Sequence, residues 1–214
     1  TTPLYVPLTV GGTAVTGTHY TPLPSGVLIP AGSATATVQV VPVADALAQG
    51  DRTVTLTVAT DFTLSAGAAA TANVTIKDKP YDAWRFAKFS AAQLADTAIS
   101  GPSADPDADG LANLLEYAFA RDPLAADSPS AEPSASVGLD DHLSLTYFQA
   151  AGRTDLVFAP EWTADLAGTW QSSAAYLTET ARTAVSGGEN VTIRAETTLT
   201  AAPVQFLRLR VTRP

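Results

Sequence analysis

The chain has 214 residues, of which 46% are hydrophobic, so one or two domains with real cores are within reach. A formal charge of −9 argues against a nucleic-acid or anionic-membrane partner, since both need a basic face, and suits cations instead. With no Cys, thiol nucleophiles, disulfides, zinc-thiolate sites and iron-sulfur clusters are excluded; with no Met, Thr1 is not expected to be the start of the gene, and the chain reads as a processed product or a fragment.

Residues 4–77 alternate apolar and polar positions between turn residues, the pattern of half-buried antiparallel strands. LYVPLTV sets Leu4, Val6, Leu8 and Val10 on one face, and TATVQVV does so with Ala36, Val38 and Val40. RTVTLTV opposes Val54, Leu56 and Val58 to Thr53, Thr55 and Thr57, and TANVTIK aligns Ala72, Val74 and Ile76. Short strands with Gly- and Pro-bearing connections predict a β-sandwich. The stretch GTAVTGTHYTPLPSGVLIPAGSATATVQVVPVADALAQGDRTVTLTV, followed by VTIKD, resembles the later part of a Calx-beta domain. That resemblance implies an Ig-like sandwich over residues 1–78 that lacks the family's first strands. Calx-beta domains can bind calcium through acidic residues near strand ends. Here the corresponding positions carry His19, Gln49 and Arg52, leaving Asp45 and Asp51, so the first domain reads as structural.

Residues 79–123 change to helical chemistry. YDAWRFAKF is aromatic-rich, and SAAQ at 90–93 fits a capping box in which Ser90 and Gln93 satisfy helix-start amides. Leu111, Leu114, Leu115, Ala118 and Phe119 recur at the spacing of one helix face and predict a core-facing helix starting at Leu111.

Between these helices lies DPDADGLANLLE, residues 105–116. Calcium takes six to eight oxygens at about 2.3–2.6 Å, and alternating carboxylates on a sharp turn can wrap it. Asp105, Asp107 and Asp109 occupy loop positions 1, 3 and 5, and Gly110 at position 6 permits the turn. Leu111 offers its carbonyl from position 7, Asn113 acts through water from position 9, and Glu116 supplies a bidentate carboxylate from position 12. An alternative is that Asp105 or Asp109 merely caps the helix. A cap needs one carboxylate, however, and four close together would repel one another without a cation. The loop occurs in one full copy, and with Pro106 and the following RDPLAADSPS it resembles the calcium loops of thrombospondin type 3 repeats or dockerins. DSP at 127–129 looks like the start of a second repeat. DPDADGLANLLEYAFARDP is also similar to a segment that recurs near the C-termini of large secreted bacterial proteins, ahead of a C-terminal β domain.

Residues 124–138 read as a linker, rich in Pro, Ser and Ala. LSLTYFQ, TDLVFAP, NVTIRAE and QFLRLRVTR then predict a second β domain over 139–214. Within it, Trp162 and Trp170 are candidates for stacking on sugar rings; the competing reading places them in the core. The only histidines are His19 and His142, and no GxSxG, HExxH, GxxxxGK[ST] or GxGxxG occurs, so no catalytic function is expected.

The chain therefore reads as mainly β: a Calx-beta/Ig-like β-sandwich, a short helical calcium-loop joint, and a second, C-terminal β-sandwich-like domain. Its expected role is structural or adhesive, extracellular (secreted or on the cell surface), with Ca2+ bracing the joint between the β domains. Expected partners are other copies, neighbouring β domains or surface glycans, with no nucleic acid and no membrane insertion, since no apolar run of about 18 residues occurs. Two alternatives are a fibre subunit completed by a donor strand from its neighbour, and the non-catalytic, carbohydrate-binding tail of a secreted hydrolase.

Overall fold

A computed structural model describes residues 2–60, 70–127 and 133–214. The fold is mainly β with antiparallel sheets, and it divides into two compact units, Thr1–Ala83 and Trp84–Pro214.

In the first unit β1 (Leu4–Gly11), β2 (Gly26–Ile29), β3 (Arg52–Val58) and β4 (Thr71–Ile76) form one sheet in the order β2-β1-β3-β4. Directly opposed residues share a face, so the register places Leu4, Val6, Leu8 and Val10 with Ile29, Val27, Val58 and Leu56. The opposite face is a threonine field: Thr55 donates to Asn73 Oδ1 at 2.7 Å, and the Thr57 and Thr71 hydroxyls meet at 3.2 Å. Val54 and Tyr20 are buried, whereas Leu4, Val10 and Val74 on the apolar face remain exposed.

TATVQVV departs from the expected strand. Val38 and Val40 are more buried than Gln39, as the alternation predicts, but the stretch forms no ladder. A strand needs a partner as well as a pattern, and among the described residues the end of the stretch is met only by a bond from Thr21 N to Val41 O, beside a bridge between Tyr20 and Pro42.

The second unit begins within α1 (Pro80–Lys88) and continues through α2 (Ala91–Leu94), α3 (Thr97–Ser100) and α4 (Asn113–Phe119). SAAQ forms its capping box: Gln93 N donates to Ser90 Oγ, and Ser90 N donates to Gln93 Oε1 at 2.9 Å. Arg85 donates to the carbonyl and hydroxyl of buried Ser100, and Trp84 packs against Phe89 and Tyr117.

The strands that follow make two sheets: β5 (Ser134–Val137), β6 (His142–Ala150), β8 (Leu177–Val185) and β9 (Gly188–Thr198) in the order β5-β6-β9-β8, and β7 (Val157–Thr163) paired with β10 (Phe206–Thr212). Tyr147, Leu177, Val191 and Ile193 from the larger sheet form a core with Phe158, Trp162, Leu207 and Leu209 from the smaller one. Two corrections to the sequence reading arise here. SASV at 134–137, expected as linker, is strand β5, because a turn at Gly138–Asp141 folds it back onto β6; residues 128–132 of that linker lie outside the described residues. The helical segment also packs with the C-terminal strands. Tyr117, fully buried in α4, donates its hydroxyl to Asp155 at 2.8 Å, receives Arg153 Nε on its carbonyl at 2.6 Å, and carries the Arg153 guanidinium 4.1 Å above its ring. Among the described residues no helix is long and apolar enough to cross a membrane.

Candidate metal centre

The loop from Asp105 to Gly110 is wound by its own carboxylates. Asp105 accepts from Asp109 N and Gly110 N, Asp107 Oδ1 from Asp109 N, and Asp109 Oδ1 from Leu111 N. Two left-handed residues tighten the turn, Ala108 at φ 60° and Gly110 at φ 97°. At the latter value glycine is favoured because it has no Cβ to clash.

The helix starts two residues later than its leucine spacing predicts. Its N-cap is Ala112, with no side-chain cap bond, so neither Asp105 nor Asp109 acts as the cap. Backbone carbonyls do the work instead: Asn113 N donates to Ala104 O and Leu114 N to Pro102 O. The buried set of α4 also differs from the leucine stripe. Asn113, Glu116, Tyr117, Ala118 and Phe119 are buried, whereas Leu111, Leu114 and Leu115 are only partly so.

Two groups of carboxylates converge. Asp105, Asp107 and Asp109 each bring an oxygen within 4.8 Å of the others, and so do Asp109, Glu116 and Asp127. A cation with bonds of about 2.3–2.6 Å joins oxygens up to about 5 Å apart, so each group has room for one, and Asp109 is common to the two. Glu116 differs from the aspartates in its burial. It is 0% exposed, and among the described residues neither of its oxygens has a hydrogen-bond partner; Asp107 Oδ2 is likewise buried and unpartnered. Burial, reinforced by Asp107 and Asp109, pushes the Glu116 carboxyl up to about 8, and burial raises that of Asp107 as well. A buried carboxylate without a donor is costly unless it is protonated or meets a cation. The donors are all oxygens, with no sulfur or imidazole among them, a set that a hard cation would suit.

No family model, curated protein or solved structure matches the chain. The likenesses to Calx-beta domains and to thrombospondin or dockerin loops thus rest on the residues that suggested them.

Asn113 occupies a different place from the water-mediated one its loop position suggests. Its amide nitrogen donates to Ile99 O and Gly101 O, both at 2.8 Å, fastening α4 to the end of α3, while its Oδ1 is buried and has no partner among the described residues. Asn113→Ala is expected to cost about 2–4 kcal/mol by stranding two carbonyls. Denaturant melts should show that loss equally with and without calcium; a ligand role would instead shrink the calcium-dependent part.

Asp127 was not among the loop ligands suggested by spacing, although its DSP context had the look of a broken repeat. The remaining candidates are occupied elsewhere. Trp162 stacks on Tyr176 and donates Nε1 to Gln205 Oε1 at 2.8 Å, and one face of Trp170 carries the Arg208 guanidinium at 3.9 Å. In the first unit, Asp45 and Asp78 accept from Leu47 N, Gln49 Nε2, Gln49 N and Gly50 N. His19 Nδ1 accepts from Val15 N and its Nε2 meets Gln49 Oε1, while His142 Nδ1 donates to Ala195 O.

Proposed function

We propose that the second unit binds calcium through Asp105, Asp107, Asp109 and Glu116, with the Leu111 carbonyl as a further ligand, and that the ion serves structure and not catalysis. The observation that carries this reading is the fully buried carboxylate of Glu116, without a hydrogen-bond partner among the described residues and close to Asp109 and Asp127. Calcium suits the donor set better than magnesium, which demands a tight octahedron at about 2.0–2.1 Å and holds its waters. Once bound, the ion fixes the loop between α3 and α4, and the Tyr117 contacts carry that rigidity into the C-terminal strands. A binding module of this kind fits an extracellular structural or adhesive protein, where calcium near millimolar fills sites with a Kd on the order of 10⁻⁴ to 10⁻³ M. The exposed Leu4, Val10 and Val74 of the first unit favour contact with a neighbouring β domain or a second copy. Isothermal titration of the full chain with calcium and, separately, magnesium tests the reading. Saturable calcium binding in the stated range with weaker magnesium binding is expected; no calcium heat up to about 10 mM would refute it.

A further inference from the structure

Resting on that calcium reading, we infer that Asp127 supplies a ligand from outside the loop, so that the ion also clips the chain beyond α4 back onto the loop. Asp127 brings a carboxylate oxygen within 4.8 Å of Asp109 and of Glu116, the group whose buried oxygens have no other partner among the described residues. The loop spacing ends at Glu116, its position 12, so this contact is made by the fold and not by the motif.

The chain between Glu116 and Asp127 is held in a way that delivers it. Ala120 ends α4 in the left-handed region at φ 56°, and Arg121 N turns back to donate to Glu116 O at 2.7 Å. Asp122 then anchors the exit: it pairs with Lys88 Nζ at 2.9 Å and accepts from Leu124 N, and the Lys88 ammonium holds its carboxyl below the usual range. Pro123 is fully buried. Finally, Asp127 N donates to Asp109 Oδ2 at 3.2 Å, which seats the residue on the loop itself. Those contacts bring a third carboxylate beside two others, an arrangement that repels in the absence of a cation. With a cation present, the same placement gives Asp109, Glu116 and Asp127 a common charge to ligate.

The test compares the full chain with Asp127→Asn, Glu116→Gln and Asp127→Ala. Calcium titration should show Asp127→Asn and Asp127→Ala binding about tenfold more weakly, since one ligand charge is lost while the rest of the site persists. Glu116→Gln should bind more weakly still. Melting in EGTA should show both Asp127 variants as stable as the unaltered chain or slightly more so, because they relieve repulsion; this separates ligation from folding. Terbium luminescence lifetimes in H2O and D2O give a readout that a merely structural role would not move. One additional coordinated water is expected in Asp127→Ala. If the unaltered chain binds calcium and both Asp127 variants match it in affinity and hydration, the clip is overturned while the calcium site stands. If the unaltered chain does not bind calcium, both fall together.

Discussion

Stripping calcium from the full chain with EGTA is expected to lower the melting temperature of the second unit by about 3–10 °C. The range follows from linkage: a ligand that binds only the folded state stabilises it by RT ln(1 + [L]/Kd). At about 5 mM calcium and a Kd on the order of 10⁻⁴ to 10⁻³ M this is about 1–2 kcal/mol. A domain of this size shifts by about 3–5 °C per kcal/mol. The first unit supplies an internal control, because the carboxylates of Asp45 and Asp78 there are occupied by N–H donors. Its transition should stay in place. In Glu116→Gln the calcium-dependent shift should nearly vanish, and the EGTA melting temperature should rise because the variant removes the buried carboxylate. Differential scanning calorimetry of both proteins, each with calcium and with EGTA, checks all three outcomes.

The second large effect is a reversal of pH dependence. Without calcium the Glu116 carboxyl titrates at about 8 in the folded protein, against 4.5 ordinarily, chiefly because it is buried. Between those values the folded state binds more protons than the unfolded one, so stability falls as pH rises. The contribution of neutral Glu116 is complete below about pH 4.5 and is lost as pH climbs through about 8. Asp107, raised by burial, adds the same sign. The carboxylates of opposite sign, Asp122 beside Lys88, Asp141 beside Thr200 and Glu179 beside Arg182, are lowered from their usual values and act below that window. In EGTA the second unit should therefore lose on the order of a few kcal/mol between pH 5 and 8. On the proposed reading calcium would compete with the proton for the same oxygens, so saturating calcium should flatten this slope or turn it upward. Denaturant melts at several pH values provide the check, and Glu116→Gln should remove most of the slope in EGTA.

The physics of the site explains why part of it was legible beforehand. Alternating aspartates and a glycine act locally, so the convergence of Asp105, Asp107 and Asp109 on a left-handed turn could be read from spacing alone. The burial of Glu116 could not. It depends on Asn113 tying α4 to α3 and on Tyr117 tying the helix to Arg153 and Asp155, contacts separated by 12 to 38 positions in the chain. The expected apolar face held at Ala118 and Phe119 but only in part at its leucines for the same reason: α4 also buries Asn113, Glu116 and Tyr117, polar groups that are held by partners or converge on the acidic site. Asp127 belongs to no local pattern, since its position follows from the turn at Ala120, the Lys88–Asp122 pair and buried Pro123.

The strands show the same division. The alternation in RTVTLTV and NVTIRAE became β3 and β9, where partners exist on both sides. Among the described residues the equal alternation in TATVQVV makes no ladder, whereas SASV, expected as linker, does, because a hairpin turn brought β6 alongside. Periodicity assigns a face; pairing is decided by what the rest of the chain delivers to the edge.

The central claim is tested most directly by calcium titration of the unaltered full chain beside Glu116→Gln. Saturable binding with a Kd on the order of 10⁻⁴ to 10⁻³ M in the first, weakened by at least about tenfold in the second, is the predicted result. Equal affinity in the two proteins, or no binding in either, would contradict it.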